Sequence, residues 1–189
     1  MNNRNNQWND VVSVYSDGQG ETGDPLHQYM IDPEISEMLG NVSGKTILDA
    51  GCGNGYWVRR LAEQAKKVIG IDSSSELIKK AKSAKNPSNT KYRIADLSKR
   101  IDLPDFNFDI ILSSMVFHYL RNIENAVAEF KRILKPKGRV ILTIQHPIYQ
   151  YHFRVQSRAG GSPGSFPVPL GYFNRKIVEQ TIMSGKLKV

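Results

Sequence analysis

The run Ile47-Leu48-Asp49-Ala50-Gly51-Cys52-Gly53-Asn54-Gly55 decides the fold. An apolar strand enters three glycines at alternate positions, and behind them Val58, Leu61, Ala62 and Ala65 share the spacing of one helix face. Glycines between a strand and a helix mark backbone that turns sharply and approaches a ligand closely, where a Cβ would collide with it. The competing pattern is the dinucleotide fingerprint G-x-G-x-x-G, whose third glycine lets the helix pack on the strand beside a pyrophosphate. Counted from Gly51, that glycine would stand at position 56. The residue there is Tyr56, so the dinucleotide pattern fails.

Outward from this loop, short β-branched runs at 46–50, 67–71, 91–95, 108–113 and 139–145 alternate with amphipathic segments. That alternation predicts an α/β domain, a doubly wound and mostly parallel sheet covered by helices on both faces. The last helix is expected to bury Ile123, Val127, Phe130 and Leu134 and to stop at Pro136-Lys137-Gly138. Ser73 and Glu76 have the S-x-x-E spacing of a capping box, which places a helix start after the second strand.

Two acids extend the glycine loop into a nucleoside site. Asp72 ends Val68-Ile69-Gly70-Ile71 and lies 19 residues beyond Gly53, close to the interval expected of a carboxylate that accepts both ribose hydroxyls. Asp96, in Ala95-Asp96-Leu97 after the third strand, is placed to bind an adenine amino group. Each acid has a plainer alternative: Asp49 caps a turn, Asp72 caps its helix, Asp96 sits in a surface turn. Their joint position at consecutive strand ends favours the site, because open α/β sheets bind ligands outside the carboxyl ends of their strands.

A length of 189 residues suits one domain with one core. No apolar run is long enough to cross a bilayer, and the polar start Met1-Asn2-Asn3-Arg4-Asn5-Asn6-Gln7 lacks the apolar centre of a secretion signal, so a cytoplasmic protein without membrane association is expected. The single cysteine, Cys52, excludes an internal disulfide and leaves a thiolate-rich metal site without ligands; it reads as a small residue packed in the turn, and no metal is expected. The net charge of +8 is concentrated late: from Tyr151 onward six cations face only Glu179. A tail of this kind steers an anionic partner or forms a solvated loop, and the solvated loop is the preferred reading.

Taken together, 47–55, Gly70-Ile71-Asp72-Ser73-Ser74, Ala95-Asp96-Leu97, Phe108-Asp109-Ile110-Ile111-Leu112-Ser113 and Leu134-Lys135-Pro136-Lys137-Gly138-Arg139 resemble the successive motifs of class I, Rossmann-like S-adenosylmethionine (AdoMet) methyltransferases, particularly those acting on small molecules, including quinone precursors. The resemblance covers about 35–147. It implies that Asp49, Ala50, Gly51, Cys52, Gly53 and Gly55 hold the methionine end of AdoMet, and that Asp72 with Ser73 serves the ribose. Leu77 and Ala95, Asp96 and Leu97 would hold adenine, while Ser113 and Ser114 would line the passage from methyl group to acceptor. AdoMet has no pyrophosphate, which agrees with a loop lacking the third glycine. The product would be S-adenosylhomocysteine. Methyl transfer is an in-line displacement dominated by positioning, and a base is needed only where the acceptor loses a proton. His118 is the best-placed candidate, followed by His146; Tyr119, His27 and Tyr29 are further possibilities.

The organisation expected is a lid or cap over 1–34, the AdoMet-binding core over 35–147, and a C-terminal loop with a partial hairpin over 148–189. Within 15–30, rich in glycine and followed by a helix near Pro25, Tyr15 or His27 is expected to close over the methionine carboxylate. The family fold continues past its fifth strand with a helix and an antiparallel strand pair. Here 176–183 and 186–189 read as a hairpin cut short. Either the chain is truncated, or the exposed fifth strand pairs with another copy in a homodimer. The leading function is methyl transfer to a small-molecule acceptor. The alternatives are a nucleic-acid methyltransferase, disfavoured because Ser113-Ser114-Met115-Val116 replaces the N/D-P-P-Y sequence of amino-directed members, and a non-catalytic AdoMet-binding protein.

Overall fold

The computed structural model describes residues 8–9, 12, 23–25, 27–120 and 122–145, together with the backbone of 179–182 and 185–188. Five strands form one parallel sheet in the order β3-β2-β1-β4-β5: β1 (Thr46–Ala50), β2 (Lys67–Asp72), β3 (Thr90–Ile94), β4 (Phe108–Ser114) and β5 (Leu134–Thr143). The doubly wound α/β expectation holds. A separate antiparallel pair, β6 (Glu179–Ile182) and β7 (Gly185–Lys188), matches the expected hairpin in outline.

Period-two alternation sorts the strand residues onto two cores. Ile47, Val68, Ile110, Leu112 and Ile141 face one layer, made by α1 (Asp32–Leu39), α2 (Tyr56–Ala62) and α3 (Ser75–Ser83). Leu48, Ala50, Ile69, Ile71, Phe108 and Ile111 face the other, closed by α4 (Ile123–Ile133), a 3₁₀ turn at Phe117–Tyr119, and Leu97, Ile101 and Leu103 from the β3–β4 connection. A π-helical turn, His27–Ile31, leads into α1. The predicted face of α2 is buried as expected.

Three expectations require correction. The buried face of α4 consists of Ala126, Glu129, Phe130 and Ile133, whereas Ile123 and Val127 are exposed. The apolar count misplaced the face because a charged residue, Glu129, points inward. Its carboxylate accepts the Ile101 N–H at 2.8 Å and a two-pronged contact from Arg132 at 3.0 and 2.6 Å. Arg132 also donates to the Leu103 and Ile101 carbonyls and to Asp105, so this acid and base staple the β3–β4 connection onto α4.

Second, β5 begins at Leu134 rather than at 139. Leu134 pairs with Phe108 and Arg139 with Ile110, so two residues of β4 are matched by five of β5. Pro136-Lys137-Gly138 therefore lies inside the strand as a bulge, with Lys137 at φ 68°. Third, α3 is capped by Ser74, whose hydroxyl accepts the Leu77 N–H at 3.1 Å, not by Ser73.

Val140 and Leu142 remain exposed on β5, and with Phe106, Phe117, Val127 and Phe130 they line a hollow of about 470 Å³ against α4. No helix among the described residues is long and apolar enough to cross a membrane.

Removing Arg132 leaves a buried carboxylate with half its partners gone. Arg132→Met is expected to lower unfolding free energy by roughly 2–4 kcal/mol, read as a shift of the urea midpoint. A change within experimental error would show that the staple contributes nothing net.

Candidate functional site

At the carboxyl end of β1 the chain leaves the sheet through the glycine loop and is tied sideways to β2. The Gly51 and Cys52 N–H groups both donate to the Ile71 carbonyl, at 2.8 and 2.9 Å. Gly53 N–H donates to Asp72 Oδ2 at 2.9 Å, and Asp72 Oδ1 accepts the Ser74 N–H at the same distance. Gly55 N–H donates to the Cys52 carbonyl and Tyr56 N–H to Asn54 Oδ1. These donors are committed within the protein, so the loop is not a phosphate cradle. Gly51 has φ +87°, and a Cβ there would fall 2.2 Å from Val116 Cγ2. The space that glycine frees at this point is occupied by the protein's own turn after β4, not by a ligand.

Asp49 is buried at the end of β1 and takes no hydrogen bond from any described residue. Burial, with the nearby Asp72 charge, pushes its carboxyl up from 3.8 to about 8. Asp72 is raised as well, by burial, although the Ser74, Gly53 and Ser73 N–H groups oppose the shift. Two electrostatically coupled, buried carboxyls at neighbouring strand ends suit a cationic ligand.

The remaining predicted residues fall as follows. Cys52 is buried, with its thiol raised far above its ordinary range by burial. Ser73 follows Asp72, and Leu77 is buried in the first turn of α3. Ala95 donates its N–H to the Asp72 carbonyl; Asp96 Oδ1 accepts from both the Ser98 N–H and hydroxyl, and Leu97 belongs to the core. Ser113 is fully buried and donates to the Ala50 carbonyl at 2.8 Å, whereas Ser114 pairs with Thr143 at 2.9 Å. The carboxyl ends of β1 to β4 thus carry Asp49, Asp72, Asp96 and Ser114.

His118 lies in the 3₁₀ turn after β4. Both its ring nitrogens are buried and have no hydrogen-bond partner among the described residues, and burial pulls its pKa down to about 4. The imidazole is therefore neutral across the physiological range, with an acceptor nitrogen available. His27 is held by Asp24, whose two oxygens meet its N–H and Nδ1 at 3.0 and 2.9 Å, and its ring lies 6.2 Å from that of Tyr56. Tyr15 and His146 lie outside the described residues.

Sequence reasoning missed the role of Tyr56. Its phenol donates a very short hydrogen bond to the buried Asp32 and accepts from Arg60 at 2.8 Å, pinning α1 onto the helix that follows the glycine loop. It also missed Trp8, 5.0 Å edge-to-face from Tyr119, and Asn9, whose Oδ1 accepts the Ser74 hydroxyl at 2.6 Å. No local pattern announces contacts across 65 residues or more. Among the described residues no cluster of three His, Cys, Asp or Glu side chains is arranged to hold a metal ion.

A family model described as a methyltransferase domain matches residues 48–142, half of the chain and the whole segment from Asp49 to β5. The chain belongs to the class I S-adenosylmethionine-dependent methyltransferase family. A demethylmenaquinone methyltransferase of Tropheryma whipplei is 33% identical over 59% of this chain and 46% of its own length. A malonyl-[acyl-carrier protein] O-methyltransferase of Hamiltonella defensa is 29% identical over 58% and 41%. The crystal structure of an S-adenosylmethionine dependent methyltransferase from Mesorhizobium loti superposes with a TM-score of 0.62 at 32% identity, covering 69% of this methyltransferase chain and 58% of that one. The chain spans about half the length of the curated relatives it matches.

The raised Asp49 carboxyl has a measurable consequence. Because its folded value of about 8 exceeds its unfolded value, the folded state holds the proton more tightly. The associated stability is complete below the unfolded value and is lost as pH rises toward 8. Asp49→Asn is expected to gain on the parent by on the order of 1 kcal/mol per pH unit at most between pH 5 and 8, as followed by urea unfolding. A constant difference across that range would show that Asp49 ionises normally.

Proposed function

We propose that this domain transfers the AdoMet methyl group to a small-molecule acceptor. The observation that carries the reading is the buried Asp49 carboxyl, unpartnered among the described residues, beside a glycine loop with committed donors: this combination favours a ligand that brings positive charge and no phosphate. AdoMet, with a sulfonium and an α-ammonium, fits those residues. Its chemistry is the presentation of a methyl group on a cationic sulfur.

In this reading Asp49 and the loop Ala50, Gly51, Cys52, Gly53 and Gly55 hold the methionine end. Asp72 receives the ribose while its two N–H contacts keep it aimed, supported by Ser73. Leu77 and Ala95 to Leu97 flank adenine, with Asp96 reaching it through Oδ2, the oxygen that also lies 3.8 Å from the Lys99 ammonium. Ser113 acts through the Ala50 carbonyl, fixing β4 against β1, and Ser114 stands nearer the acceptor passage. His118, neutral and with both nitrogens unpartnered, accepts the acceptor's proton where one is lost. His27 belongs to the covering segment. The named activities of the relatives, on a menaquinone precursor and on a malonyl carrier protein, favour a small acceptor or one delivered on a carrier.

Calorimetry should show AdoMet binding that weakens about 10- to 100-fold in Asp72→Ala, equivalent to roughly 1.4–2.7 kcal/mol lost. Undiminished affinity in that variant would remove Asp72 from the ribose. Screening for S-adenosylhomocysteine release against phenolic, quinol and acyl-carrier acceptors tests turnover. For an acceptor that must be deprotonated, His118→Ala should cut kcat by about 10²- to 10⁴-fold while AdoMet affinity stays within a factor of about two. Full activity in His118→Ala would exclude it as the base.

A further inference from the structure

Trp8 and Asn9 are adjacent in sequence and reach two different strand ends. Asn9 Oδ1 accepts the hydroxyl of Ser74, after β2, at 2.6 Å and the Glu76 N–H at 3.4 Å, while its amide donates to the Ser75 hydroxyl at 3.5 Å. Trp8 packs its ring edge-to-face on Tyr119, after β4, with centroids 5.0 Å apart. In the sheet order β3-β2-β1-β4-β5, the ends of β2 and β4 flank the end of β1. This dipeptide therefore links the segments that follow the two strands on either side of β1. Tyr119 also contacts His118, with ring centroids 4.1 Å apart.

We propose that Trp8 is a positioning residue for His118: anchored by Asn9 at Ser74, it holds Tyr119 against the imidazole and keeps water from the two unpartnered nitrogens. The inference rests on reading His118 as the base, but it concerns the ring's surroundings. An imidazole with no hydrogen-bond partner among the described residues is held in place by packing, and the tilted Tyr119 ring is an aromatic surface against it. The depressed basicity of His118 has burial as its sole cause, and no carboxylate, lysine or arginine on β1, β2, β4 or α4 contributes. Tyr119, the titratable group beside it, is itself raised to about 12 by burial. The dryness of this pair is thus a matter of what covers it. Trp8 is the part of the cover seen to contact Tyr119, and its neighbour Asn9 is held by hydrogen bonds to Ser74 and Glu76.

The test follows His118 directly, without an acceptor. The imidazole resonances of the full chain are titrated by NMR, with His118 assigned by its disappearance in His118→Gln. In the parent, His118 stays neutral to about pH 4. In Trp8→Ala and in Asn9→Ala its midpoint is expected to rise by about one pH unit or more, toward the ordinary histidine value. Trp8→Phe, which restores an aromatic edge on Tyr119, should return it close to the parent. Should Trp8→Ala fold poorly, Asn9→Ala and Trp8→Phe still decide the matter. A His118 midpoint unchanged in Asn9→Ala, or in a folded Trp8→Ala, overturns the proposal, as does a parent His118 that titrates normally. A His118→Ala enzyme with full turnover overturns the base assignment but leaves the positioning result standing.

Discussion

One carboxylate organises this site. Asp72 sits where β2 ends and reaches in two directions, to the Gly53 N–H in the glycine loop and to the Ser74 N–H at the head of α3. A side chain that satisfies donors from two separate segments fixes their spacing more tightly than either could fix itself. The loop is further bound by the Ile71 carbonyl, so the turn after β1 is shaped almost wholly by β2. The penalty is electrostatic: the carboxylate is kept in a poorly hydrated place beside Asp49, and both are held above their ordinary pKa. Asp49 therefore stays largely protonated at neutral pH, and the pair loses stability as the pH rises toward 8.

The fold was readable where the chain obeys simple periodicity. Strands β1, β2 and β4 are continuous apolar runs because both their faces are covered, and their limits agree with expectation to within about one residue. Periodicity failed where polar residues are buried for a structural purpose. Glu129 faces the core because Arg132 and a backbone N–H neutralise it, so counting apolar residues turned α4 toward the wrong side. Ser74 rather than Ser73 caps α3 because Asp72 has already claimed the first position of the turn. The start of β5 was hidden by Pro136 and Gly138, which signal an end in most contexts and form a bulge in this one.

The candidate site was readable to the extent that it is drawn from strand ends. Asp49, Asp72 and Asp96 stand at successive carboxyl termini, and the parallel sheet brings them together without long-range information. Tyr56, Trp8 and Asn9 were invisible for the opposite reason: their partners, Asp32, Tyr119 and Ser74, lie 24 to 111 residues away, and nothing in their own neighbourhoods distinguishes them. Tyr56 entered the reading only as the absence of a glycine. It is in fact a tether, whose phenol joins the helix after the loop to the one before β1.

The bulge in β5 has a bearing on how such a domain can change. Five residues of β5 there do the pairing work of two on β4, so the connection from α4 contains slack at the amino end of the strand, and the register from Arg139 to Thr143 is set independently by Ile110 to Ser114. The bulge at 135–138 lies outside that register, and Lys135 within it ties to Asp109 at 2.9 Å. Ser114, Met115 and Thr143, at the opposite end, keep their contacts. The strand therefore has one end where pairing is loose and one where it is fixed residue by residue, and the candidate site stands at the fixed end.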